Sequence, residues 1–160
     1  MDTNTNYVRI LVETLRKKEQ VLTEILEITK KQAELAKRDT FDEESFTELL
    51  DRKEVLIDEL NKLDDGFDAV YERVRQTVLA QKHVYQTELM AMQASIKNCT
   101  ELGVQIQTLE HQNRDKIEQQ FRKQKQEIRQ VRKSSSVATN YYKTMSNLQI
   151  ADPVFMDKKK

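Results

Sequence analysis

The chain has 160 residues, with 27 Lys and Arg balanced by 27 Asp and Glu, 38% hydrophobic and 34% charged residues, and no Trp. This is the composition of a helical bundle or coiled coil, with enough apolar side chains for a narrow seam between helices and too few for a thick globular core. A single cysteine, Cys99, excludes an intramolecular disulfide and fits a reducing compartment. No stretch approaches the ~20 apolar residues of a membrane span. The first six residues carry neither the basic start nor the apolar run of a signal peptide. A cytoplasmic location without stable membrane insertion is therefore expected.

Gly and Pro are the strongest local punctuation in a sequence, and only Gly66, Gly103 and Pro153 are present. Long helices follow. The first is expected over about residues 5–37, where Val8, Leu11, Val12, Leu15, Leu22, Ile25, Leu26 and Ala33 recur at three- and four-residue steps. That stripe is broader than a two-stranded seam, so this helix is expected to touch two neighbours. A polar break, Arg38-Asp39-Thr40-Phe41-Asp42, separates it from the next helix.

The start signal of the second helix, expected over about 43–79, is clear. Asp42 can accept hydrogen bonds from the first free amides, and Phe41 and Phe46 are spaced as a hydrophobic staple. Glu43 and Glu44 complement the positive helix end. Leu49, Leu56, Leu60, Leu63, Phe67, Val70 and Val74 continue the stripe, with Lys53 as its one polar intruder. Gly66 lies within this register and is expected to be tolerated mid-helix at ~1 kcal/mol relative to Ala.

The next boundary carries no Gly or Pro. The apolar phase drifts between Val74 and Tyr85, which places a tight connection near residues 80–84. The competing arrangement is a single helix from Glu43 to Lys133, ~135 Å long, which would need a second chain to bury it. With the turn, the third helix covers about 84–133 through Leu89, Met92, Ile96, Cys99, Leu102, Ile106, Leu109, Asn113, Ile117, Phe121, Ile128 and Val131. Its end, from Phe121 to Lys133, is expected to project past the bundle and leave an apolar stripe uncovered. Asn113 on that stripe suits a register-setting polar contact better than a ligand.

From Ser134-Ser135-Ser136 onward helical periodicity is lost. Tyr141, Tyr142, Met145, Leu148, Ile150, Val154, Phe155 and Met156 make residues 134–160 too apolar for an inert tail. The expected architecture is all-α: an elongated antiparallel three-helix bundle, or long α-hairpin, over 1–133 with a flexible tail after it.

Charge is unevenly placed. Between residues 42 and 72 twelve acids stand against Arg52, Lys53 and Lys62, and between 114 and 133 eight bases stand against Asp115, Glu118 and Glu127. Solvated helix faces of opposite sign lying against each other account for this, with a functional acidic or basic patch as the alternative.

No catalytic constellation emerges, so no enzymatic activity, cofactor or metal is expected. His83 and His111 are far apart and lack the preceding Glu of a di-iron bundle motif, and with Cys99 they give no zinc spacing. Asp65-Gly66 with Glu72 imitates the back half of a calcium loop, but the helical stripe runs through it. There is no phosphate loop or dinucleotide fingerprint. Three classes remain: a module that binds apolar helical segments through a groove and the tail, a homodimeric coiled-coil scaffold, or a basic helix that binds nucleic acid or a membrane surface. Zero net charge weakens the last.

Certain stretches resemble the FlgN-type flagellar export chaperones in their divergent Gram-positive, clostridia-like form. They are Arg52-Lys53-Glu54-Val55-Leu56-Ile57-Asp58-Glu59-Leu60, the helix-three run Ile106-Gln107-Thr108-Leu109-Glu110-His111-Gln112-Asn113-Arg114-Asp115-Lys116-Ile117-Glu118, and the tail pieces Asn140-Tyr141-Tyr142-Lys143 and Phe155-Met156-Asp157-Lys158-Lys159-Lys160. The layout matches over nearly the whole chain, with the helix-three Asn plus the tail as the more specific combination. The tail departs from the family in lacking glycines before its last aromatic.

The resemblance implies a cytoplasmic chaperone that holds the amphipathic terminal segments of hook–filament junction proteins and delivers them to the export gate, with no nucleic acid bound and homodimerisation open. On that reading Leu109, Asn113, Ile117 and Phe121 form a groove that Ile128 and Val131 extend, and Tyr141, Tyr142, Phe155 and Met156 are tail anchors, since aromatic residues dominate hot spots.

Overall fold

The computed structural model describes residues 3–123, and all statements of structure below concern these residues. They form three helices, α1 (Thr3–Lys37), α2 (Glu43–Ala80) and α3 (Gln86–Lys123), with no strand among them. Cross-helix contacts give the directions. Lys18 meets Asp64 and Gln32 meets the Phe46 carbonyl, so α1 and α2 run antiparallel. Asn98 meets Glu19, and Gln120 donates to the carbonyls of Ala36 and Arg38, so α3 runs parallel to α1. The result is an up-down-up rod of ~57 Å at 1.5 Å per residue.

The start of α2 forms as its sequence dictates. The Ser45 amide donates to Asp42 Oδ1 at 3.1 Å, and the Ser45 hydroxyl donates to Oδ2 at 2.6 Å. The Phe41 and Phe46 rings lie 5.5 Å apart, which closes the staple. Gly66 is helical and open to solvent, with nothing within 4 Å of where a Cβ would stand.

The chain reverses at residues 81–85, one residue later than the sequence suggests, and α3 begins at Gln86 rather than 84. This removes the single-helix arrangement. Gln81 closes α2 by donating its amide to the Thr77 carbonyl at 3.0 Å. The Val84 amide donates to the Gln81 carbonyl at 3.0 Å across the turn, and burial anchors it. Tyr85 packs into a cluster with Val8, Leu11, Val78 and Met92, so the start of α1 supplies the surface that both flanks of the turn need.

As its broad stripe requires, α1 packs against both other helices, whereas α2 and α3 approach each other far more sparsely. The apolar residues form three clusters in series. One holds Val8, Leu11, Leu15, Val74 and Met92 at the turn end. The middle one holds Leu22, Ile25, Ile57, Leu60, Cys99 and Ile106. The third holds Leu35, Phe41, Phe46, Leu50, Ile117 and Phe121 at the other end.

Two expectations about apolar faces are corrected. Phe121 does not start a projecting stripe, because its ring meets Phe41 edge-on at 5.8 Å and is buried. On α2 the buried line is Phe46, Leu50, Lys53, Ile57, Leu60, Val74 and Val78. Leu49, Leu56, Leu63 and Val70 fall one step to its side, half-buried at strict seven-residue spacing. A seam that follows a 3.5-residue period places these four on its flank, although they are more conspicuous in the sequence than Leu50 and Ile57. Residues 124–133 of the expected third helix and the expected tail lie outside the described residues.

Candidate protein-binding site

Of the residues expected to bind a partner, four are described, and the bundle itself uses them. Ile117 and Phe121 are buried in the end cluster. Leu109 is half-buried against the middle cluster. Asn113 is buried, and its Nδ2 donates to the Thr29 carbonyl of α1 at 3.2 Å. The expected open groove on helix three is therefore closed along these positions, because α1 and the start of α2 cover them. Asn113 makes the polar interhelical contact that its seam position suggests. Ile128, Val131, Tyr141, Tyr142, Phe155 and Met156 lie outside the described residues.

Between the middle and end clusters lies a polar layer. Lys53 of α2 is 1% exposed and Glu110 of α3 is 5% exposed, and their side chains form an ion pair at the bundle axis. Lys53 Nζ also donates to Thr29 Oγ1 at 3.5 Å, and Thr29 Oγ1 in turn donates to the Ile25 carbonyl at 2.7 Å. Burial pushes the Lys53 ammonium below the usual lysine range, and the neighbouring Glu110 carboxylate opposes that shift. Gln32 joins the layer by donating to the Phe46 carbonyl at 3.5 Å. A second polar crossing, Lys18 with Asp64 at 3.0 Å, lies between the turn-end and middle clusters.

Sequence reasoning flagged Lys53 only as an intruder and overlooked Glu110, Thr29, Gln32 and Lys18. The signal for Glu110 was its spacing. Ile106, Glu110, Asn113 and Ile117 keep the four-three-four step of a seam, whereas the more apolar Leu109 drew the stripe off by one residue.

The outer surface of α2 is organised too. Glu44, Thr47, Asp51, Glu54, Asp58, Asn61, Asp65, Asp68 and Glu72 follow one another at three- and four-residue steps, seven of the nine being acidic and none basic. All except Thr47 are exposed. Lys53 marks the axis-facing side of α2, and Arg73, which donates to Tyr7 Oη at 3.1 Å, marks its α1 edge. The acidic line falls on the opposite edge, toward α3, on the side where α2 and α3 are least closely packed. Crowding is felt there. The Asp68 carboxyl is pushed above the usual carboxylate range by desolvation and by Asp65 and Glu72, with Lys18 pulling it partly back.

His83 and His111 are both exposed, and no group of three metal-ligating side chains occurs among the described residues. No helix among them is long and apolar enough to cross a membrane. Comparison with protein-family models, with curated proteins and with solved structures gives no match to this chain.

Proposed function

We propose that the chain is an export chaperone of the FlgN type, which covers the amphipathic terminal helices of hook–filament junction proteins before export. The observation that carries this reading is architectural. The chain forms a slender three-helix rod in which α2 and α3 approach each other sparsely, and the residues after it carry Tyr141, Tyr142 and Phe155. The stretches from Arg52 to Leu60 and from Ile106 to Glu118, and the tail pieces that resemble the family, add to it. A client helix that later buries its apolar stripe in the filament must be covered until then, or it self-associates. A helical rod does this through side-chain contact alone, without nucleotide chemistry.

Because Ile117 and Phe121 belong to the rod's own core, the anchors on this reading are Ile128, Val131, Tyr141, Tyr142, Phe155 and Met156. The test is a pull-down from a lysate of a flagellated bacterium with the full chain, and in parallel with a chain ending at Lys133. The expected result is a hook–filament junction protein on the full chain and a weaker signal on the shorter one. Recovery of no junction protein by either sinks the reading. Equal recovery by both removes the tail anchors.

A further inference from the structure

We propose that the edge of α2 turned toward α3 is the docking face for this chain's own basic segment, residues 124–160. The proposal goes beyond the chaperone reading and does not depend on it.

The first argument is charge. The neutral total hides a division: residues 3–123 carry 19 Lys and Arg against 23 Asp and Glu, and residues 124–160 carry eight against three. Within the bundle the excess acid is concentrated on one line, from Glu44 to Glu72, at the spacing of a helix face. Like charges three or four residues apart destabilise a helix. Here they repeat over four heptads, and Glu72 pairs with Arg75 at 3.9 Å. Desolvation first, and then like-charge repulsion from Asp65 and Glu72, raises the Asp68 carboxyl. A cationic segment lying along the line relieves that repulsion.

The second argument is position. α3 reaches the end of the rod at Lys123, beside Phe121, which touches Phe41 just before α2 begins. The segment therefore leaves the bundle at the end where the acidic line starts. Arg122 and Lys123, both exposed, begin a basic series that Lys125, Arg129, Arg132 and Lys133 continue and Lys143 and Lys158 to Lys160 extend. The line is ~42 Å long as a helix face, and about 13 residues of extended chain span that distance.

The third argument is connectivity, which sets one occupant above the others. A tethered segment meets this face at an effective concentration in the ~mM range, so weak exposed charge pairs suffice to hold it where a free partner at micromolar concentration would not bind.

The test uses the full chain, as an equimolar mixture of normal and 15N-labelled protein. Carbodiimide coupling joins carboxylates directly to lysines, and mass spectrometry then separates links within one chain from links between two. Coupling is run at about 0.01 M and about 1 M salt, where the screening length is ~30 Å and ~3 Å. At low salt, links from Lys125, Lys133 or Lys143 to Asp51, Asp58, Asp65 or Glu72 are expected within single chains, with their yield falling roughly tenfold at high salt as several weak pairs are lost together. At low salt in a variant with Asp51→Asn, Asp58→Asn, Asp65→Asn and Glu72→Gln, links from the same lysines to Glu54 and Asp68, whose carboxylates remain, are expected to fall to a similar degree. All four positions are exposed, and a circular-dichroism melt checks that the variant stays folded. Absence of links to this line, links found only between differently labelled chains, or links to Glu54 and Asp68 undiminished in the folded variant would each overturn the proposal.

Discussion

Lys53 and Glu110 stand on different helices, 57 positions apart in sequence, and meet as a buried ion pair at the axis of the rod, with Thr29 of α1 as the neighbour of Lys53. The pair divides the middle apolar cluster from the end cluster. A buried pair repays its desolvation only with good geometry and additional hydrogen bonds. Its value here is positional: the two charges meet only when α2 and α3 are in one axial register.

Removing one partner leaves the other charge buried and alone. Lys53→Met or Glu110→Gln is expected to lower stability by about 3–5 kcal/mol, and Lys53→Met combined with Glu110→Leu to recover most of that loss. Urea unfolding of the two single variants and the double variant closes the cycle. Additive losses in the double variant would show that the pair is not coupled.

The same lysine makes stability depend on alkaline pH. Its folded-state pKa is lowered, so between that value and the ordinary ~10.4 the unfolded chain holds a proton that the folded chain has released. Stability then rises with pH across this window, and the cost of keeping the buried ammonium charged is fully present below it. Urea midpoints measured from about pH 7 to about pH 10 should therefore move in favour of the parent chain relative to Lys53→Met. A constant difference would contradict this.

Phe121→Ala is expected to cost about 3–5 kcal/mol, the usual range for a buried phenylalanine. Its ring fills the cluster that also holds Phe41, Phe46 and Ile117. The outcome separates a core role from a surface one, because a partner-facing phenylalanine would lose binding without lowering the melting temperature.

Gly66→Ala should stabilise the chain by about 0.5–1 kcal/mol. The position is mid-helix and a methyl group meets nothing there. A lower melting temperature would mean that the glycine is needed for close approach to something beyond the described residues.

Asp42 caps α2 through Ser45, whose hydrogen bonds hold its carboxyl below the usual carboxylate range. A lowered carboxylate pKa contributes stability that is present above the unfolded value and lost as pH falls through the folded one. Asp42→Ala should lower the melting temperature at neutral pH. Asp42→Asn should keep most of the cap and lose only the decline below about pH 4. A parent chain whose melting temperature does not respond to Asp42→Ala would show that the cap contributes nothing.

The three helices, the cap and staple of α2 and the two neighbours of α1 were all legible in the sequence. Each rests on local chemistry: apolar residues at helical steps, an aspartate before acidic residues, two phenylalanines at staple spacing. The residues that became core were less legible. Leu109 and Leu49 looked like seam residues, yet the structure buries Glu110 and Leu50 instead. A helix presents several nearly equivalent apolar lines, and the supercoil adopted with its neighbours selects one.

Sequence alone therefore determined that this chain is helical, where its first two helices begin and end to within a few residues, and that one outer face is acidic. The sequence favoured a reversal near residues 80–84 over a single long helix; only the tertiary structure decided between them, and it alone decided the burial of Ile117 and Phe121 and the pairing of Lys53 with Glu110. Helix formation depends on contacts three and four residues apart, which a sequence displays directly. Burial of a charge or a ring depends on what another helix brings opposite it, and that is a property of the assembled rod.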